Sequence, residues 1–599
     1  MALEGSVAKR DAGNAPSFRP HQQKPLKPTN VHGFATSAQS PSSTVVRSLI
    51  TVSHEGPFMR TCALAIATAI ACAVTPVPAL ATNGTTYYST KQHYEPQGSD
   101  YASAPEGFHQ IYTSTVDRHG SRGLSGFKYD DLAQQMLAHA QEHDQLTELG
   151  EKLIPQVEAM ITVNKELAGG TGQEAGYGNL TVVGREELQG VGKRNAQRNA
   201  ALLNNIDKEG LKVKYISSGE DRANDSGWNF GQAWLEKEPM LADNLVDGMR
   251  DGHVNIEARS DLMYAHKDKQ APSYKKYSEW KDSEVLEAKV DEAYAKPASQ
   301  KAARSLLNKI FTEDFIAGLE DGSINFVGRE KDEKTVEGIV DAALQFYNLY
   351  IIAPALAHEA KSPAEGWIFD QYMDDVSGPT FAYLLDVEDY YQKGPAFAGQ
   401  TVAYDNYEPL LKHMIQGVKD RATGGEVAAE YRFGHAETII PLAALLKLPG
   451  SEKGTPAHQL YSWENSDWRG DKVSPMGANI QWDAFQNERG DTLVRMLYNE
   501  KEIAFHDGCE PIAEGSTFYT IDELEACLPL GSTSDHSKAH IEGPKHPQDS
   551  DSTSLSSNAS IWSIIAGVAG AITLAAGAMS AHVPQIRALA KQFGIPLPF

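Results

Sequence analysis

The clearest periodicity in the chain is the stretch "GFHQIYTSTVD" (107–117), where apolar and polar positions alternate as the two faces of a strand require. It ends at the polar turn "RHGSRG" and gives way to "YDDLAQQMLAHAQEHDQLTELGEKLIPQVEAMI" (129–161), whose apolar residues recur at helical spacing. Two more strand-then-helix units follow. "LKVKYISS" (211–218) leads into the helical "DRANDSGWNFGQAWLEK" (221–237), and "AAEYRFGH" (428–435) opens into "AETIIPLAALLKL" (436–448). Between them, over roughly 240–425, runs helix-favouring sequence such as "DSEVLEAKVDEAYAKPASQKAARSLLNKIFTEDFIAGLEDG". Strand–helix units of this kind predict an α/β fold, a core sheet flanked by helices, with an inserted helical cap domain over 240–425. No internal repeat is present.

The pattern changes character at both ends. Residues 1–58 are polar, rich in Ser, Pro, Gln, Lys and Arg, and read as a disordered extension that need not belong to the fold. Residues 59–81, "MRTCALAIATAIACAVTPVPALA", have a charged start, an apolar run and Ala-Leu-Ala, the layout of a secretory signal peptide cut after Ala81. At the other end, 531–560 is a polar, Ser/Thr/Asp-rich stalk. The uncharged "IWSIIAGVAGAITLAAGAMSA" (561–581) would be about 30 Å long as a helix, the thickness of a bilayer core. Trp562 stands at its start, and Arg587 and Lys591 follow in a tail (582–599) that the positive-inside rule makes cytoplasmic. These features predict an exported protein anchored at the cell surface by a C-terminal transmembrane helix, with residues 82–530 as its catalytic domain. Of the four cysteines, Cys62 and Cys72 leave with the signal, and Cys509 and Cys527 remain as an even pair suited to a disulfide.

Charge narrows the function. A formal net charge of -25 argues against nucleic-acid binding, which needs a broad excess of Lys and Arg. Yet the turn after the first strand concentrates Arg118, His119 and Arg122 in five positions. The second strand ends near Arg222, and the third at His435 with Glu437 just beyond. Active sites of α/β sheets lie past the carboxyl ends of strands, so these clusters are expected to converge. Arginine forks bind phosphate bidentately and stay charged, a histidine among them can attack phosphorus, and a carboxyl group can protonate the leaving alcohol. The roles that follow are His119 as nucleophile, with a backbone carbonyl near Gly120 fixing its tautomer, and Glu437 as proton donor. Arg118, Arg122, Arg222 and His435 would bind phosphate. No cysteine or histidine cluster has metal-ligand spacing, and no phosphate-loop or dinucleotide glycine pattern occurs.

R-H-G-S-R followed far downstream by H-A-E resembles the histidine phosphatase superfamily, on the branch of the histidine acid phosphatases and phytases. The H-A-E form looks like the multiple inositol polyphosphate phosphatases. "GNLTVVGREELQGVGKR", "SSGEDRANDSGWNF", "LLDVEDYYQKGPAF" and "VSPMGANIQWDAF" are similar to the same group. The resemblance spans about 105–530. It implies a covalent phosphohistidine mechanism with no metal or other cofactor, and a small polyanionic substrate: inositol hexakisphosphate (phytate) and lower inositol phosphates. It carries the same roles onto His119, Glu437, Arg118, Arg122, Arg222 and His435. Lys128, farther along the loop, is a candidate contact for other substrate phosphates. Leu124 departs from the family, whose acid phosphatases usually have proline there. Two alternatives stay open: the same chemistry on another compact ester such as a bisphosphoglycerate or sugar phosphate, and a non-catalytic surface protein that binds a polyanion.

Overall fold

The computed structural model describes residues 86–329, 335–360 and 366–530. The expected N-terminal extension, export signal, stalk, membrane span and tail all lie outside those residues. Among the described residues the centre is an eight-stranded sheet. Its strands are β1 (His109–Arg118), β2 (Lys212–Ser217), β3 (Glu257–Ala258), β4 (Val427–Gly434), β5 (Asn479–Gln486), β6 (Thr492–Tyr498), β7 (Lys501–Ile503) and β8 (Tyr519–Thr520). They lie in the order β7-β6-β5-β1-β4-β2-β3, with β8 on β6. β1, β4, β2 and β3 pair in parallel, and β5, β6 and β7 pair antiparallel.

The alternation in β1 sorts its side chains between the two faces. Tyr112 and Val116 enter the larger core. Thr113 and Asp117 point the other way, where Thr113 Oγ1 donates to Asp483 Oδ1 (2.8 Å) and Arg198 Nε to Asp483 Oδ2 (3.2 Å). β4 is covered on both faces, as strands in the parallel part of a sheet usually are. Its Tyr431 and Phe433 pack against Phe230 and Trp234 of the helix Asp221–Lys237. Its Arg432 faces the helix Glu408–Ala422, where Nη2 lies 3.0 Å from His413 Nδ1.

The segment 129–161 forms two helices, Lys128–Glu142 and Glu148–Glu166. The break falls where Asp144 takes a left-handed conformation (φ 55°) and the Thr147 hydroxyl caps the next helix by accepting from the Gly150 N–H. Residues 240–425 are mostly helical, but they also contribute β3 to the sheet and carry Glu408–Ala422 back onto its face. This segment shares one continuous apolar core with the sheet, from Val116 and Ile480 to Leu306 and Phe346. Ile339–Leu356 is long and apolar enough by composition to cross a bilayer, with mean hydropathy 1.4, but 83% of that window is buried within the protein. An apolar helix ringed by other helices needs no lipid to explain it.

Cys509 and Cys527 are joined in a disulfide, 18 residues apart in sequence. His506, the third potential metal ligand beside them, therefore faces sulfurs that are already bonded to each other. By loop-closure entropy the bridge contributes about 3 kcal/mol. Replacing both cysteines by serine is expected to lower the unfolding free energy in urea by about that amount; an unchanged midpoint would show that the bridge is energetically idle.

Candidate active site

Strand register brings the three polar turns together. Arg118 of β1 pairs with Gly434 of β4, and Phe433 of β4 pairs with Ser217 of β2. Three parallel strands thus end nearly level, and the next residues, His119, His435 and Ser218, emerge side by side. Backbone bonds continue just beyond: His119 N–H donates to Gly434 O (2.9 Å) and Ser218 N–H to Phe433 O (3.1 Å). The His119 and His435 rings meet edge to face, with centroids 5.4 Å apart. Arg222 lies in the first turn of the helix after β2, and Glu437 in the first turn of the helix Ala436–Leu445 after β4.

The geometry assigns the proton on His119. Its Nδ1 lies 2.9 Å from Gly120 O. A carbonyl oxygen can only accept, so Nδ1 carries the hydrogen and Nε2 presents a lone pair. Burial first, then the charges of Arg222 and Arg118, hold this imidazole well below its ordinary pKa, so it stays neutral.

The loop bearing it is clamped by the helix Val182–Arg198. A Cβ on Gly120 would stand 2.3 Å from Gly184 O, and one on Gly184 would stand 2.0 Å from Ser121 O. Only glycine permits that approach. Ser121 O accepts from the Thr181 N–H (3.0 Å) and hydroxyl (3.1 Å). Glu187 in turn accepts from the Ser121 N–H (2.6 Å) and hydroxyl (2.9 Å). Leu124, where acid phosphatases usually have proline, donates its N–H to Asn164 Oδ1 (2.8 Å). Proline has no such donor, so this loop is fastened to the helix Glu148–Glu166 by a hydrogen bond instead of a ring.

Neutral oxygens hold most of the arginines. Arg118, fully buried, donates to the carbonyls of Thr90 and Ser474. Arg122 donates to Gly123 O (2.7 Å), and Arg222 to the Tyr264 hydroxyl (3.2 Å) and Glu220 (3.3 Å). Burial, then the charge of Arg122 on Arg118 and of Arg222 on Arg122, brings both down to about 10, which still leaves them charged near neutrality. His435 bonds Ser218 Oγ through Nε2 (2.8 Å) and stacks on Tyr264 at 4.1 Å, with its Nδ1 buried. Burial alone would push the Glu437 carboxyl up, but Lys393, 3.9 Å away, together with His266, His435 and a backbone hydrogen bond outweighs it and holds that group well below the usual range.

Six of the seven residues expected at the site are therefore gathered around His119. Lys128 begins the helix Lys128–Glu142 with its ammonium 5.3 Å from the Tyr129 ring centroid, and among the described residues no hydrogen bond or ion pair ties it to the histidines. Sequence reasoning missed Tyr264 with His266 packed against it (ring centroids 4.6 Å), Lys393 with its partner Asp389 (2.5 Å), and Lys91, next to the Thr90 carbonyl that holds Arg118. Lys393 closes the helix Ser377–Lys393 within the family-like stretch "LLDVEDYYQKGPAF", the one signal that pointed toward it. A cavity of about 560 Å³ opens elsewhere, where β4 begins, between Lys214, His413, Val427 and Glu430, and takes no part in this cluster.

The description "Histidine phosphatase superfamily (branch 2)" matches residues 113–499. The chain belongs to this family. Among solved structures, a Bifidobacterium longum multiple inositol polyphosphate phosphatase in complex with inositol hexasulfate is similar at 33% identity and TM-score 0.69. That match covers 75% of this chain and 98% of that one. A D. castellii phytase, at 12% identity and TM-score 0.51 over 74% of this chain and 83% of its own, shares the fold. Multiple inositol polyphosphate phosphatase 1 of Gallus gallus is 23% identical over 155 residues, which is 24% of this chain and 34% of that protein. The Homo sapiens protein of the same name is 22% identical over 170 residues, 27% of this chain and again 34% of its own length. The chain thus spans about a third of the curated relatives it matches.

For a histidine phosphatase with this ring environment, ¹⁵N NMR should show His119 as the neutral Nδ1–H tautomer at pH 6, where exposed histidines are largely charged. A cationic His119 signal at that pH would contradict the assigned geometry.

Proposed function

We propose that this protein is a phosphatase that removes phosphate from inositol polyphosphates such as phytate through a phosphohistidine on His119. The observation that carries this reading is the bond from His119 Nδ1 to Gly120 O within a ring of arginines, which leaves a neutral, nucleophilic Nε2 facing an anion site. The substrate class rests on the 33%-identical relative, whose crystal contains inositol hexasulfate, a ring bearing six anionic groups.

Arg118, Arg122 and Arg222 take the phosphoryl oxygens, with His435 beside them. The Nε2 lone pair of His119 forms a bond to phosphorus as the ester P–O bond breaks. The leaving oxygen takes a proton from the Glu437 carboxyl group. The imidazolium so formed keeps its Nδ1 hydrogen on Gly120 O. Glu437, now a carboxylate, accepts a proton from water as the water oxygen attacks phosphorus. The N–P bond then breaks, inorganic phosphate leaves, and both residues regain their starting states.

Glu437 is ionised in the free protein, so it must gain its proton when substrate arrives. A polyanion beside it offsets the Lys393 charge and raises the carboxyl group toward the protonated form. We place this activity outside the cell, supported by the export-like pattern of 59–81 and by the Cys509–Cys527 disulfide, which suits an oxidising compartment. The apolar 561–581 stretch supports a surface tether.

Purified protein is expected to release phosphate from phytate, and His119→Ala to release none. Release by that variant would sink the mechanism; release by wild type only from small phosphate esters would keep the chemistry and change the substrate. Glu437→Gln is expected to lower kcat on phytate by roughly 10²–10⁴-fold. Activity should fall as pH rises through the Glu437 pKa, because the donor must be protonated. Since that pKa is depressed in the free protein and raised by bound anion, the fall in kcat/KM should begin at lower pH than the fall in kcat. Coincident limbs would argue against substrate-driven protonation.

A further inference from the structure

The short turn Ser89–Lys91 precedes the first strand, yet it forms part of the wall of the site. Thr90 O accepts from the Arg118 guanidinium, and Thr90 Oγ1 donates to Asp389 Oδ2 (3.3 Å) in the helix that also carries Lys393. Ser89 Oγ donates to Asp386 of that helix (2.7 Å), and Met476 N–H donates to Gln92 O (2.8 Å). The turn is therefore held on three sides, and it delivers the Lys91 side chain to a fixed place.

That place is unusual for a cation. The Lys91 ammonium donates to the neutral Thr90 Oγ1 (3.2 Å), and among the described residues no carboxylate lies within 4.0 Å of it. The charged groups that face it are Arg118 and Arg122 from the histidine loop and Asp389 and Lys393 from the helix Ser377–Lys393. Lys393 holds the Asp389 carboxylate at 2.5 Å, so that anion is already engaged. Burial, then the repulsion of Arg118 and Arg122, pulls the Lys91 ammonium down to about 7. A partly desolvated ammonium among guanidinium groups is a costly arrangement in the empty protein. An anion larger than one phosphoryl group would offset that cost if it met Lys91 and the arginines together.

We infer that Lys91 is a specificity-determining contact for a second phosphate of a polyphosphorylated substrate, adjacent to the phosphate that Arg118 and Arg122 present to His119. The inference rests on the proposed reading of the site as one for inositol polyphosphates. An ammonium on a short tether between the phosphoryl clamp and the Lys393 helix adds little to a substrate with one phosphate. It adds a charge-assisted hydrogen bond to a substrate with a phosphate on the neighbouring ring carbon.

Calorimetric titration of the whole protein with inositol hexasulfate and, separately, with inorganic phosphate tests this without requiring turnover. Lys91→Gln is expected to weaken hexasulfate binding tenfold or more while weakening inorganic phosphate less than threefold, and Lys91→Arg to bind hexasulfate within about threefold of wild type. Hexasulfate affinity unchanged in Lys91→Gln would overturn the assignment. So would equal losses for both anions, which would mean that Lys91 merely supports the shared phosphate pocket through the Thr90–Arg118 contact. Wild-type protein that binds hexasulfate in a Lys91-dependent way yet releases no phosphate from phytate would sink the phosphatase reading and leave the Lys91 contact standing.

Discussion

The site depends on holding like charges beside one imidazole with few carboxylates to neutralise them. Arg118 and Arg122 are held by carbonyl oxygens, and Arg222 is held by a tyrosine hydroxyl and a single glutamate. Carbonyls satisfy the guanidinium hydrogens and leave the charge for a ligand. Carboxylates in their place would have stabilised the empty protein and weakened its hold on phosphate. Burial first, and then this field, keep His119 neutral, the state that the proposed nucleophile requires.

Holding that cluster together requires a rigid edge. Parallel pairing of β1, β4 and β2 sets His119, His435 and Ser218 level, and the glycine-to-glycine contact of the histidine loop with the helix Val182–Arg198 keeps the turn from relaxing outward. Glu187 reinforces the contact from within that helix by accepting two bonds from Ser121 and one from the Tyr94 N–H (3.0 Å). The stretch "GNLTVVGREELQGVGKR" thus supplies a clamp for the site and no atom of the chemistry.

Glu437 and Lys393 form an electrostatic pair beside the arginines. An ion pair at 3.9 Å, with Lys393 also tied to Asp389, favours the ionised form of the Glu437 carboxyl. Under the proposed mechanism protonation is coupled to occupancy, which limits Glu437 as acid to the loaded site.

Much of this was legible in the chain. Period-two alternation ending in R-H-G-S-R, and a second strand ending in H-A-E, placed His119, His435 and Glu437 at strand ends, because local patterning dictates strands and the turns that follow them. The pair Cys509 and Cys527 was likewise readable from count and context. What local pattern cannot encode is which distant segments share a wall. Lys91, 28 residues before Arg122's loop neighbour His119, and Lys393, far downstream, reach the site only because helix packing and main-chain bonds deliver them. Asp117 shows the converse. Next to Arg118 in sequence, it points to the opposite face of the sheet, where burial pushes its carboxyl up to about 8 and it makes no ion pair with that arginine. The sequence by itself determined the chemical groups and the strand-end turns that bear them. Tertiary structure decided their charge states, since burial and through-space repulsion depend on neighbours that no local stretch contains.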